Sequence, residues 1–140
     1  MITQTVHATC VAVGDRAALL TGASGTGKST IALELMAYGA TLVSDDQVVL
    51  VAESDVIVAF APATIAGLIE ARGLGVLKAQ AKASATIVMV VDLDVLTSDR
   101  MPVRRVVTYL GCDLPLFHRP DGASLAPAIL QLLRAGISDR

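Results

Sequence analysis

"AALLTGASGTGKSTIALELMAYG", residues 17–39, decides the fold class, because a strand, a glycine-rich loop and a helix follow one another in it. The apolar run Ala17–Thr21 predicts a strand. Good helix formers predict a helix from about Lys28 to Tyr38, with Gly39 as its C′ residue. This order is typical of α/β domains that hold a phosphate between a strand and a helix.

The loop itself, "GASGTGKS" (Gly22–Ser29), matches the phosphate-loop pattern G-x-x-x-x-G-K-[ST]. Its glycines allow successive backbone N–H groups to face one anion, and the start of the helix adds partial positive charge. In such loops the lysine, here Lys28, reaches the β- and γ-phosphates, and the hydroxyl, here Ser29, binds Mg²⁺. The predicted nucleotide-binding residues are Gly22, Ala23, Ser24, Gly25, Thr26, Gly27, Lys28, Ser29 and Thr30.

Segments on both sides of this unit predict a mixed sheet. Alternation and β-branching mark "TVHATCVAV", "ATLVSDD" and "ATIVMVVDLD" as strands, and "VVLVA" with "VIVAF" as an antiparallel hairpin. A terminal helix is predicted over "SLAPAILQLLRAG", with Ser124 as N-cap and Gly136 at its end. Prolines and glycines predict loops over "PATIAGLIEARGLGVLK", which starts as a possible helical turn, and over "CDLPLFHRPDG". We therefore predict one α/β domain over residues 1–140, with a mixed β-sheet and flanking helices.

Composition excludes several classes of protein. The longest uncharged stretch, Val56–Ile69, has 14 residues and contains Pro62, whereas a membrane-spanning helix needs about 20 apolar residues, so no membrane segment is expected. The first residues lack the pattern of a secretory signal, so a cytoplasmic protein is expected. With 11 basic and 13 acidic residues the charge is nearly balanced, so nucleic acid is not expected as a partner. Cys10 and Cys112 have no metal-binding or redox spacing, and we interpret them as structural thiols.

Two strand ends compete for the role of magnesium carboxylate. "IVMVVDLD" ends in Asp92, the usual position of a supporting acid in phosphate-loop enzymes, whereas "LVSDD" ends in the pair Asp45 and Asp46. Adjacent carboxylates repel each other, which can leave one of them suited to proton transfer. Periodicity alone leaves both possibilities open.

A third segment, "IEARGLGV", places Glu70 and Arg72 two residues apart. In an extended segment such side chains point the same way, so an anion for Mg²⁺ and a cation for phosphate can converge. A surface loop with an internal ion pair explains the same pattern equally well.

Four motifs in order resemble the catalytic domain of the HPr kinase/phosphorylase family, whose pattern runs H-G, G-D-S-G-x-G-K-S, A-D-D and E-I-R-G-L-G. Here they are His7, the loop, "SDD" and "EARGLG". His7 lies 15 residues before Gly22, and Asp46 lies 17 residues after Ser29, which matches the family's separations. Taken alone, a histidine within a strand would be interpreted as structural. The spacing between His7 and Gly22 favours a catalytic role instead.

The resemblance implies a P-loop kinase domain acting on a serine of the phosphotransferase-system carrier HPr, with ATP and Mg²⁺. It also implies phosphorolysis of phosphoserine by inorganic phosphate, which releases pyrophosphate, and a homo-oligomer, in the family a hexamer. Asp46 would be the proton acceptor, and Ser29 with Glu70 would bind Mg²⁺, with Asp45 as a third candidate ligand. The implied catalytic residues are Asp46, His7, Lys28, Arg72 and Arg100, the last from a "DR" segment.

Departures from the family pattern keep alternatives open. Ala23 stands where the family usually has Asp, and Thr30 where it commonly has Glu. The family's P-V-R-P-G-R segment, associated with dephosphorylation, corresponds at best to "FHRPDG", which keeps Arg119 and lacks the second arginine. By the same comparison Asp92 and Asp94 are interpreted as structural or solvated. The alternatives are a small-molecule kinase that keeps the nucleotide site, or a non-catalytic nucleotide sensor, which Ala23 favours.

Overall fold

A computed structural model describes residues 2–122 and 125–138, which in that part of the chain form ten strands, two α-helices and one short 3₁₀ turn over Ala63–Ile65. The strands and helices are β1 (Thr3–Val13), β2 (Arg16–Thr21), α1 (Lys28–Ala37), β3 (Thr41–Ser44), β4 (Gln47–Glu53), β5 (Val56–Phe60), β6 (Leu68–Ala71), β7 (Gly75–Lys78), β8 (Ser84–Thr97), β9 (Arg105–Tyr109), β10 (Cys112–Pro120) and α2 (Leu125–Ala135).

Eight strands form one mixed sheet in the order β2-β1-β4-β5-β8-β10-β9, with β3 paired to β1. Strand β2 pairs with β1 antiparallel and with β8 parallel. Because β8 also pairs with β5, and β4 joins β5 to β1, the strands β1, β2, β8, β5 and β4 close into a ring. The predicted mixed sheet and the β4–β5 hairpin are confirmed.

The closed arrangement of strands separates two hydrophobic clusters. One lies within the ring and includes Leu19, Leu50 and Ile57, all fully buried. The other lies between the sheet and the two helices and includes Leu35 and Leu133. Leu19 of β2 belongs to the first cluster and Leu20 to the second. Since each fully buried leucine contributes roughly 1.5–3 kcal/mol, β2 is anchored on both faces just before the glycine-rich loop.

The predicted helix ends are confirmed where they are described. Helix α1 starts at Lys28, and Gly39 follows it at φ 108°, with its N–H donating to the Met36 carbonyl at 3.0 Å. Gly136 follows α2 at φ 81°. The predicted N-cap Ser124 lies outside the described residues. Among residues 2–122 and 125–138, no helix is long and apolar enough to cross a membrane.

Most of the two predicted loops forms strands instead, whereas the possible helical turn at the start of the first is confirmed as the 3₁₀ turn Ala63–Ile65. "IEARGLGVLK" forms the small antiparallel sheet β6–β7, in which Glu70 pairs with Val76 across a tight turn. "CDLPLFHRP" is β10, which pairs antiparallel with β9 and parallel with β8. Pro115 is paired with Val106 of β9 and precedes Leu116, where the pairing with β8 begins. Pro120 is the last residue of β10. Neither proline therefore interrupts the pairing of β10 with its two neighbours.

The two cysteines are expected to react very differently with thiol reagents. Cys10 is completely buried, and this burial raises its pKa to about 12, so almost no thiolate forms at neutral pH. Cys112 is only partly buried. Iodoacetamide followed by mass spectrometry should modify Cys112 in the native protein and both thiols in denaturant, and Cys112→Ser should abolish native labelling. Equal labelling of Cys10 in the native state would contradict this burial.

Candidate active site

The glycine-rich loop between β2 and α1 depends on backbone conformations that favour glycine. Gly22, Gly25 and Gly27 have φ values of 139°, 87° and 97°. A β-carbon at Gly22 would lie 2.9 Å from Thr26 Oγ1. Thr26 closes the loop, because its N–H and its hydroxyl both donate to the Ala23 carbonyl, at 3.2 and 2.8 Å.

Lys28, the first residue of α1, is buried and turns back over this loop. Its ammonium donates to the carbonyls of Gly22 at 2.8 Å and Ala23 at 3.0 Å. A buried charge needs such partners to offset its desolvation. The lysine charge is therefore held at the mouth of the loop and at the N-terminus of α1, where an anion would bind.

Asp45 is buried and joins three separate segments. Its carboxylate accepts hydrogen bonds from Thr9 Oγ1 at 2.8 Å, from Ser29 Oγ at 2.7 Å and from the backbone N–H of Glu70 at 2.9 Å. Strand β1, helix α1 and strand β6 thus meet at one side chain. These hydrogen bonds connect Asp45 to Ser29 and Glu70, the other two predicted metal ligands.

Asp46, the next residue, has the opposite environment. Its side chain is 69% exposed, and its backbone has φ 72°, a conformation that Asp tolerates better than most residues. His7 Nδ1 lies 3.2 Å from the Asp46 carboxylate and 3.0 Å from its carbonyl, both of which are acceptors, so the hydrogen-bond network assigns the proton to Nδ1. The other ring nitrogen, Nε2, lies 3.4 Å from Ser24 Oγ in the loop.

These groups open into one cavity of about 280 Å³. It brings together the loop, both adjacent acids, Glu70 of β6 and Arg72 in the turn between β6 and β7. Its lining residues are His7, Thr9, Ser24, Gly25, Gly27, Lys28, Ser29, Thr30, Asp45, Asp46, Glu70 and Arg72.

The lining of this cavity contains nearly all the predicted catalytic and metal-binding residues. The exception is Arg100, which lines other cavities beside Pro102 and Phe117. The catalytic and metal-binding roles of all these residues stay predictions. Three of the predicted nucleotide-binding residues, Gly22, Ala23 and Thr26, belong to the loop but do not line this cavity.

The oxygen donors of the cavity suit Mg²⁺, which prefers one or two carboxylates and completes its coordination with water and phosphate oxygens. Asp45, Glu70 and Ser29 supply carboxylates and a hydroxyl in one place. Residues 2–122 and 125–138 contain no group of three or more His, Cys, Asp or Glu side chains able to hold a metal by themselves. A magnesium ion bound here would therefore need further oxygen ligands from water or from the phosphates of a nucleotide.

Three contacts near the site were not predicted. Thr9 is fully buried, and its hydroxyl donates a hydrogen bond to Asp45. The sequence shows only a threonine within a predicted strand and gives no sign of this contact. Asp94, interpreted above as structural or solvated, accepts the Ala23 N–H with both carboxylate oxygens, at 3.1 Å each. Arg119 donates from Nη1 to the Thr26 carbonyl at 2.8 Å.

Comparisons with known proteins point to one family. Residues 1–106 match a family described as the HPr Serine kinase C-terminal domain. The chain is 46% identical over 76 residues to the HPr kinase/phosphorylase of Geobacillus sp. (strain WCH70). The aligned stretch covers 54% of the chain and 24% of that relative. It is 40% identical over 75 residues to the HPr kinase/phosphorylase of Levilactobacillus brevis. That aligned stretch covers 53% of the chain and 24% of the relative.

A solved structure, the Hpr(Ser) kinase/phosphatase from Coxiella burnetii, shares the fold with a TM-score of 0.78 and 25% sequence identity. The match covers 94% of this chain and 88% of that one. The chain spans about a quarter of the length of the curated relatives it matches.

Proposed function

Because the chain belongs to the HPr serine kinase C-terminal domain family, we propose that it is an ATP-dependent protein kinase that phosphorylates a serine of an HPr-like phosphocarrier protein. The observation that carries the proposal is the single cavity in which Asp46, Lys28 and Arg72 meet from separate segments. An exposed carboxylate beside a glycine-rich loop suits a protein substrate, because a serine on a partner's surface can reach it.

The proposed reaction begins at Asp46. Its carboxylate accepts the proton of the substrate serine hydroxyl, and the serine oxygen attacks the γ-phosphorus of ATP. The bond from that phosphorus to the bridging oxygen breaks, and ADP leaves. His7 fixes the Asp46 carboxylate through the Nδ1 contact at 3.2 Å. Arg72 lines the same cavity, and in the proposed reaction its guanidinium stabilises the charge on the transferred group.

The phosphates are held by positioning and charge, which supply most of the catalysis in phosphoryl transfer. Backbone N–H groups of the loop and the Lys28 ammonium bind the β- and γ-phosphates. When bound, Mg²⁺ neutralises charge on these phosphates. Ser29 and Glu70 would hold it, and Asp45 keeps the Ser29 hydroxyl in place through the 2.7 Å hydrogen bond.

The reverse reaction is part of the proposal. An oxygen of inorganic phosphate attacks the phosphorus of phosphoserine, the bond to the serine oxygen breaks, and pyrophosphate forms. Protonated Asp46 then returns its proton to the serine oxygen. A homo-oligomer, a hexamer by family resemblance, and a cytoplasmic location, where ATP is available, complete the proposal.

One experiment tests both directions. The protein is incubated with Mg²⁺, ATP and HPr, and mass spectrometry should find one phosphoryl group on an HPr serine. HPr in which that serine is replaced by alanine is the matched control and should gain none. Inorganic phosphate added to phospho-HPr should then release pyrophosphate.

The outcomes separate the alternatives. Absence of phosphoserine on HPr would sink the kinase proposal, and absence of pyrophosphate would remove only the reverse reaction. Nucleotide binding without any transfer would instead favour the sensor, for which the uncharged Ala23 in the loop is the motivating observation.

A further inference from the structure

An irregularity between β8 and β10 lies beside the glycine-rich loop. The two strands run parallel, with His118 opposite Asp92, but the next residue of β10, Arg119, is opposite Leu96. Three residues of β8 therefore lie between these two pairs, and Asp94 is the middle one. Such a bulge turns side chains away from their regular directions. Asp94 and Arg119 both reach the loop from this point.

The Asp94 contact acts on the lysine through one peptide group. Both carboxylate oxygens lie 3.1 Å from the Ala23 nitrogen. The same peptide group carries the Gly22 carbonyl, which accepts from Lys28 Nζ at 2.8 Å. Since the C=O and N–H of a trans peptide point in opposite directions, the carboxylate fixes the direction of the acceptor that holds the lysine.

The Arg119 contact acts on a loop N–H in the same way. Its guanidinium donates to the Thr26 carbonyl at 2.8 Å. The N–H of Gly27 belongs to that peptide group and points away from Arg119 because the peptide is planar and trans. Gly27 lines the cavity, whereas Arg119 does not. The arginine therefore orients a cavity group without entering the cavity.

We propose that Asp94 and Arg119 are positioning residues that hold the glycine-rich loop in the shape that binds the phosphates of a nucleoside di- or triphosphate. The inference deepens the proposed function and rests on it for the identity of the ligand. The two residues differ in charge. Arg119 helps through both its hydrogen bond and its charge, whereas the negative charge of Asp94 opposes the phosphates and its hydrogen bond helps.

The Arg119 arm is tested by Mg-ADP binding in isothermal titration calorimetry. Arg119→Ala should weaken binding about tenfold, the usual size for losing a charge-assisted hydrogen bond. Arg119→Lys keeps a donor and should recover most of the loss. Arg134→Ala is the matched control, because Arg134 also donates to a backbone carbonyl, that of Tyr38 at 3.2 Å, on the helical side of the molecule. It should bind like the parent.

Two substitutions of Asp94 separate the effect of its hydrogen bond on nucleotide binding from the effect of its negative charge. Asp94→Asn keeps an acceptor for the Ala23 N–H and removes the negative charge, so it should bind Mg-ADP as tightly as the parent or more tightly. Asp94→Ala loses the acceptor and should bind several-fold more weakly. If both variants bound more tightly, Asp94 would be only a nearby like charge, and the positioning role would be overturned.

Hydrogen exchange without nucleotide tests the inference separately from the proposed function. The loop amides of residues 22–29 should exchange faster in Asp94→Ala and Arg119→Ala than in the parent, and Arg134→Ala should leave them unchanged. Unchanged exchange in both loop variants would overturn the inference, even if the parent binds nucleotide. If the parent failed to bind Mg-ADP but the loop amides exchanged faster in both loop variants, the nucleotide proposal would be overturned. The role of Asp94 and Arg119 in holding the loop would remain.

Discussion

Asp46→Asn is expected to lower the rate of phosphoryl transfer to HPr by a factor of about 10² to 10⁴, the usual contribution of a general base, with nucleotide binding nearly unchanged. An amide has the size of a carboxylate but cannot accept the serine proton. The backbone should remain in place, because Asn also tolerates the φ of 72° and the Asp46 carbonyl still accepts from Ala8 N–H at 3.2 Å.

Single-turnover transfer of labelled phosphate measures this effect, and calorimetry with Mg-ADP measures binding. Asp55→Asn is a matched control, since Asp55 is an exposed acid in the turn between β4 and β5. It should transfer phosphate at the parental rate. A parental rate in Asp46→Asn would place the base elsewhere.

The same substitution one residue earlier should have a different result. Asp45→Asn is expected to lower the free energy of unfolding by about 1–3 kcal/mol, the typical cost of leaving a buried polar group unsatisfied. An asparagine there has one oxygen for the Thr9 and Ser29 hydroxyls, but its NH₂ then faces the Glu70 N–H, so donor meets donor. Loss of that contact should also weaken Mg-nucleotide binding, because Glu70, a predicted metal ligand, is no longer held beside Ser29.

Urea unfolding followed by circular dichroism measures the stability change. Asp113→Asn serves as the control, since Asp113 accepts a hydroxyl hydrogen bond from Thr108 at an exposed position. It should change stability by only a few tenths of a kcal/mol, as is usual on a surface. Equal stability of Asp45→Asn and the parent would show that the buried carboxylate holds nothing together.

Local patterns predicted the strand–loop–helix unit because its signals lie within 23 consecutive residues. The glycines, Lys28 and the helix after it need no distant partner to be recognised. The family resemblance then predicted which distant motifs meet, and the cavity contains His7, Asp46 and Glu70 together. Periodicity alone had left the two strand ends equally plausible.

The difference in environment between the buried Asp45 and the exposed Asp46 could not be predicted from their neighbours in the chain. It follows from Thr9, 36 residues earlier, and from a backbone N–H 25 residues later. Strand β10 was missed for a similar reason. Pro115 and Pro120 are ordinary loop signals, and only the non-local pairing with β8 and β9 shows that both are tolerated there. The bulge that aims Arg119 is likewise a property of two paired strands.

The closed ring of strands has a consequence for folding kinetics. Strand β8 pairs with β2, β5 and β10, yet it begins only at Ser84. Closing it onto β2 brings together residues such as Ala23 and Asp94, which are 71 positions apart. Pairings of such high contact order form late, since the entropy of closing the long loop must be overcome first. During synthesis, the glycine-rich loop therefore emerges from the ribosome long before the strand that fixes its shape.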